Sequence, residues 1–293
     1  MFYRRKILLA LVEIFGNELD NTDFEKLMFL YCKEFNQKFY EFFPYKFGCF
    51  SFVSYHDKRI LTQQGFLKNS DNFILNINES FLIQLKQQDR NNLNLFYNKM
   101  KNYNSNEIIK KTYFEYPYYA SKSEVIDKFL TSNEKTEIIS SNQFNNHPAL
   151  FTIGYESLTI DSFLNKLIEN NIKMVIDVRK NPFSMKLNFS KKKLSDYLSK
   201  VEINYIHIPE LGIKLEFRQN LSTLKDYKEL FILYEKEVLQ KRKKDLKMII
   251  NFIKLYRRIA LMCFEKDYQR CHRHIISNYL SKYKNFDIKI IHL

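Results

Sequence analysis

Ile259-Ala260-Leu261-Met262-Cys263-Phe264-Glu265-Lys266-Asp267-Tyr268-Gln269-Arg270-Cys271-His272-Arg273 reads as a buried strand ending near Cys263, a polar loop, and a helix whose first turn carries a thiol, an imidazole and a guanidinium. Strand, polar loop and helix N-terminus in that order is the repeating element of an open α/β sheet, whose ligand sites lie outside the carboxyl ends of the strands. A helix starting there adds unsatisfied N–H groups and the positive end of its dipole, which favour an anion. An active site is expected at this stretch first.

The same order of elements recurs around it. Strands are expected over 150–154, 174–177, 205–208, 259–264 and 288–291, with an amphipathic helix over 160–170 capped by Thr159 and one or two lysine-rich helices over 224–256. This alternation predicts an α/β fold with a Rossmann-like, mostly parallel sheet and flanking helices. Three further strands also run into a distinctive motif: Thr152-Ile153-Gly154-Tyr155-Glu156-Ser157, Asp177-Val178-Arg179-Lys180-Asn181-Pro182-Phe183-Ser184 and His207-Ile208-Pro209-Glu210-Leu211-Gly212. Four such loops are expected to converge at one rim of the sheet.

The residue types there define candidate roles. Glu265, His272, Asp177 and Cys271 are the catalytic candidates: two carboxylates and an imidazole for proton transfer, and a thiol at a helix N-terminus beside Arg270 and His272, where its pKa should fall. Gly154, Tyr155, Arg179, Ser184, His207 and Arg273 are the substrate-binding candidates. Glycine allows close backbone approach, tyrosine can stack or hydrogen-bond, and the two guanidiniums can grip a phosphate. Competing structural readings are an Asp177–Arg179 pair that holds its loop, a satisfied buried His207, and a structural cysteine. A zinc site from Cys263, Cys271 and His272 is set aside, since adjacent Cys and His seldom point at one ion and no paired CxxC exists. No metal is expected, and no Gly-x-Gly-x-x-Gly follows a strand, so no cofactor is expected either.

Thr-Ile-Gly-Tyr-Glu, Asp-Val-Arg-x-x-Pro-x-Ser, His-x-Pro-x-Leu-Gly and Cys-x-Glu-x-x-x-x-x-Cys-His-Arg occur in order, and on these motifs residues 150–293 resemble the domain-of-unknown-function 488 family. The family pattern most often has glycine where this chain has Ser157. The resemblance implies an α/β domain thought to be enzymatic, in the setting of DNA modification, repair or defence, and carries no settled reaction.

Upstream, residues 1–130 read as a mainly helical domain and the polar residues 131–148 as a linker, leaving 149–293 for the α/β domain. The first helix ends near Gly16, and the 20–23 stretch caps a second carrying Phe24, Leu27, Met28, Leu30 and Tyr31. A short extended segment with Phe43-Pro44-Tyr45 and Gly48-Cys49-Phe50-Ser51 follows, then a helical stretch to Gly65-Phe66-Leu67. That series resembles the winged-helix-like module of SocA-type antitoxin proteins, which implies recognition of nucleic acid or of a protein partner.

Composition bounds the rest. The net charge of +14 is concentrated in residues 151–293, where 28 Lys and Arg face 16 Asp and Glu, a balance that attracts phosphate-rich partners. Solvated lysine-rich helix faces are the plainer alternative. Four cysteines without a disulfide framework, a signal-like start interrupted by Glu13, and no apolar run of membrane-spanning length lead to a cytoplasmic protein with no membrane partner. The expected function is an enzyme acting on nucleotides or nucleic acid, by hydrolysis or group transfer on a phosphate-bearing or glycosidic substrate. The rival is a non-catalytic regulatory protein that binds nucleic acid or a partner.

Overall fold

Five strands build the sheet of the C-terminal part: β1 (Ala149–Gly154), β2 (Met174–Asp177), β3 (Asn204–His207), β4 (Arg258–Cys263) and β5 (Lys289–His292). In the computed structural model, which describes residues 1–77, 79–141, 144–217, 221–283 and 288–293, they pair in the order β3-β2-β4-β1-β5, every pair parallel. Every residue of β1, β2 and β4 is buried, as strands covered on both faces must be. The expected mostly parallel α/β sheet is thus present, with each strand within one residue of its predicted bounds.

Among the described residues five α-helices accompany it: α1 (Ile160–Glu169), α2 (Lys191–Lys200), α3 (Leu224–Glu237), α4 (Lys243–Tyr256) and α5 (His272–Ser281). Thr159 caps α1 by accepting from the Ser162 amide, as expected. One core joins Leu150, Ile176, Ile259, Leu261 and Cys263 of the sheet to Phe231 and Tyr234 of α3, Ile249 and Ile253 of α4, and Ile276 and Leu280 of α5. Strand side chains alternate, so Phe151, Ile153, Val175, Ala260 and Met262 face the other way.

The connections from β1 and β2 run toward the β3 edge, whereas the connection from β4, which lies between them, runs to the β5 edge. Right-handed crossovers place these connections on opposite faces. The 263–273 loop therefore leaves the sheet at a topological switch point, the place where open α/β sheets form a crevice. Three of the turns that feed strands use a left-handed non-glycine residue: Asn171 before β2, Glu202 before β3 and Arg257 before β4, with φ of 49°, 61° and 64°.

The chain divides into two units, Met1–Gln143 and Phe144–Leu293. The first is helical, with two small antiparallel strand pairs, Glu18–Leu19 with Phe73–Ile74 and Phe43–Tyr45 with Gly48–Phe50. Asp20 caps the helix Asn21–Glu34 by accepting from Asp23, as the sequence predicts, and Asn104 caps Ser105–Glu115 by accepting from Glu107. The stretch 131–148 is not a plain linker. Thr131 and Glu134 form a capping box that starts the helix Ser132–Ser140, and Ile138 packs with Tyr113 and Ile126; residues 142 and 143 lie outside the described residues.

Asp57 anchors this unit. It is fully buried and accepts from Arg4 Nε at 2.5 Å, Arg5 Nε at 2.8 Å and the Tyr40 hydroxyl at 3.1 Å. Burial pushes the carboxyl up, and the two guanidiniums outweigh it, so the pKa lies below the ordinary 3.8. A depressed carboxyl pKa contributes stability that is complete above the unfolded-state value and is lost as pH falls through the folded one. Protection of the amides of Tyr3–Ile14 and Phe52–Gln63 against exchange is expected to drop below about pH 4. Asp57→Asn should lower that protection already at neutral pH and flatten its acid dependence; equal pH profiles for the two proteins would remove Asp57 as the cause.

Candidate functional site

Cys263 ends β4, and eight residues later the chain turns back into α5. Cys271 is the extended N-cap of that helix, with φ −132° and ψ 136°, and His272 is its first residue. The change from extended to helical backbone between these neighbours lets both side chains face Cys263. His272 Nδ1 lies 3.9 Å from Cys263 Sγ and 3.9 Å from Cys271 Sγ, and the three donor atoms all fall within 4.8 Å of one another. The spacing argument against a shared ion therefore fails in the folded chain. His272 Nε2–H donates to the Val178 carbonyl at 2.9 Å, so the neutral ring keeps its proton there and turns Nδ1 to the sulfurs. The Cys263 thiol meets Glu265 Oε2 at 3.1 Å.

The two buried thiols titrate as a unit. Burial pushes Cys263 up, but the Cys271 thiol bonded to it and, when the ring is protonated, the charge on His272 bring it down to about 6. Burial and the charge on Cys263 hold Cys271 well above the ordinary range. The expectation of a low pKa at Cys271 is thus corrected: within the pair the charge settles on Cys263, because the Cys271 thiol donates to it.

Gly154 and Arg273 hold the loop in place. A Cβ on Gly154 would collide with the Glu265 carbonyl, so the close approach that glycine permits is to the chain's own loop rather than to a ligand. Arg273 is fully buried and donates to the Glu265 carbonyl at 2.6 Å and the Lys266 carbonyl at 3.0 Å. It clamps the loop.

The other expected site residues form a second cluster. Asp177 is in register with Met262 and His207, and therefore shares their side of the sheet, opposite Cys263. There it accepts from Arg179 Nε at 2.8 Å and Nη2 at 2.6 Å, and from the Tyr205 hydroxyl at 2.7 Å. Arg179 Nη1 donates to the Tyr155 hydroxyl at 2.6 Å, which donates to Ser184 Oγ at 3.2 Å, and His207 Nε2 donates to the Arg179 carbonyl at 2.8 Å. Burial opposes the Arg179 charge, but the Asp177 carboxylate outweighs it and raises the pKa. Tyr155 is buried and stacks on Phe189 with centroids 4.3 Å apart. In this arrangement Tyr155, Arg179 and Ser184 are bound to one another rather than presented to a substrate, and Asp177 is ion-paired rather than poised as a base. Tyr205, absent from the candidate list, completes the cluster; its position two residues before His207 was the available signal.

A cavity of about 250 Å³ opens on the Cys263 side. Glu265, Arg270 and His272 form its polar wall, and Ile213, Leu221, Tyr227, Leu230 and Phe231 its apolar one. A larger cavity of about 610 Å³ also touches Phe231 but contains no member of the thiol cluster. Arg270 and the contribution of α3 were not among the expected site residues, because nothing in a lysine-rich amphipathic helix marks which turn covers a strand end.

Residues 159–280 match the family model described as Domain of unknown function DUF488. The matched segment contains the site residues from Asp177 to Arg273, whereas Gly154 and Tyr155 precede it. No curated protein and no solved structure matches the chain. Among the described residues, no helix is long and apolar enough to cross a membrane.

Proposed function

We propose that residues 144–293 form a hydrolase or group transferase acting on a nucleotide or nucleic acid, with the reacting atoms held in the 250 Å³ cavity. The observation that carries this reading is the presence of Glu265 and His272 in one wall of a cavity at the sheet's switch point. Glu265 acts as general base or acid and His272 polarises the reacting group. Arg270 takes the anion-binding role, because Arg179 and Arg273 are engaged within the fold. The excess of basic residues over 151–293 supports a phosphate-bearing substrate. Residues 1–143 supply recognition, through the segment up to about residue 70 that resembles the winged-helix-like SocA-type module, and the setting is cytoplasmic DNA modification, repair or defence.

Turnover of nucleotides, single-stranded DNA and duplex DNA by the full chain tests this. Glu265→Gln should lower kcat by about 10²–10⁴-fold, the ordinary contribution of general acid–base catalysis. Arg270→Ala should act mainly on KM. Full activity in Glu265→Gln would remove Glu265 from the mechanism.

One observation favours the non-catalytic alternative: the polar groups of Tyr155, Asp177 and Arg179 at the ends of β1 and β2 satisfy one another. On that reading nucleic-acid affinity persists in residues 1–143 alone, and the full chain turns over none of the substrates.

A further inference from the structure

We infer that Cys263, Cys271 and His272 bind a zinc ion. About 3.6 Å separates a sulfur and a nitrogen that sit ~2.3 Å and ~2.0–2.1 Å from one tetrahedral ion. His272 Nδ1 stands 3.9 Å from both sulfurs, so a small inward movement of three side chains closes the set. The ring is already oriented for it. Its Nε2–H donates to the Val178 carbonyl, the outer partner that ligating histidines ordinarily have, and this leaves Nδ1 as the basic nitrogen. Two thiolates with an imidazole favour zinc over the hard, oxygen-seeking cations. All three residues are buried, with 2 %, 1 % and 0 % of their surface exposed, so the ion would be held in the wall of the sheet rather than on its surface.

Charge is consistent with occupancy. Two thiolates neutralise the ion. Three protein ligands leave a fourth position, the pattern of catalytic rather than structural zinc. Glu265, 3.1 Å from Cys263 Sγ and in the cavity wall, borders that position. The use of the fourth position for an activated water rests on the hydrolase reading above; binding of the ion does not.

Titration of the reduced, metal-free full chain with Co²⁺, followed by displacement with Zn²⁺, tests the site. One equivalent of Co²⁺ per chain with a thiolate-to-cobalt charge-transfer band is expected. Cys271→Ser and His272→Asn should each weaken Zn²⁺ binding by more than about 100-fold, the upper end of what loss of an outer partner costs. Cys32→Ser, in the other unit, should change nothing. Absence of the band in the wild-type chain, its persistence in Cys271→Ser, or a Cys263–Cys271 disulfide in place of metal uptake would each overturn the assignment. The wild-type titration decides even if the variants fail to fold. Stoichiometric zinc without turnover of any nucleotide would keep the site and dismiss the hydrolase reading.

Discussion

Asp177→Asn is expected to destabilise residues 144–293 by about 3–5 kcal/mol, the range for removing one partner of a buried ion pair. At roughly 2–4 °C per kcal/mol for a unit of this size, its melting temperature should fall by roughly 6–20 °C. The Asp177 carboxylate takes four hydrogen bonds: two from the Arg179 side chain, one from the Arg179 amide at 3.1 Å and one from Tyr205. An asparagine keeps the shape but loses the charge and one acceptor, which leaves a guanidinium with 5 % of its surface exposed and no counter-ion. The double variant Asp177→Asn/Arg179→Met should recover much of the loss, because it removes the stranded charge. Calorimetry of the single and double variants checks this. A single variant within 0.5 kcal/mol of wild type would mean that water already reaches the pair, and a double variant worse than the single would mean that Arg179 matters for packing rather than charge.

The inner strands β1, β2 and β4 were legible because each is a short apolar run buried on both faces, and such runs need no register to be recognised; the edge strands β3 and β5 are only half-buried. The turns between them were less so. Asn171, Glu202 and Arg257 adopt left-handed backbone where glycine would have been the visible signal, and this chain has only five glycines. The 131–148 stretch looked like a linker because it is polar, yet a capping box and one buried isoleucine suffice to make a helix of it.

At the site, the sequence placed the chemistry at the strand ends but not on a side of the sheet. Alternation within a strand is readable, whereas the face that Asp177 shares with residues of β4 depends on inter-strand register: Asp177 lies opposite Met262, and Gly154 opposite Cys263. One residue of slip would have put Asp177 on the cavity side. That is why loops expected to form one pocket resolve into an ion-paired network on one face and a thiol–imidazole cluster on the other. Linear spacing likewise concealed the approach of Cys271 and His272 to Cys263, which depends on the conformation of a single residue at the helix cap.

Gly154→Ala should lower turnover by about 100-fold, the loss that follows a displacement of roughly 1 Å at a reacting group. The added methyl would strike the carbonyl oxygen of Glu265, lie 2.7 Å from its carbonyl carbon and 3.2 Å from Arg273 Nη1. Backbone cannot swing aside as a long side chain can, so either β1 or the 265–266 turn must shift. β1 is hydrogen-bonded on both sides, to β4 and to β5, so the turn is the part that yields. Its displacement carries the Glu265 carboxylate away from Cys263 and weakens both carbonyl bonds to Arg273. Overpacking of this kind costs about 1–3 kcal/mol, too little to unfold the unit, so a folded protein with impaired chemistry is expected. Because Cys263, Cys271 and His272 lie outside the moved turn, zinc binding should change by less than tenfold. The combination of lost turnover and retained metal would separate the role of Glu265 from that of the thiol cluster, and wild-type kcat in Gly154→Ala would show that the position of Glu265 does not govern the reaction.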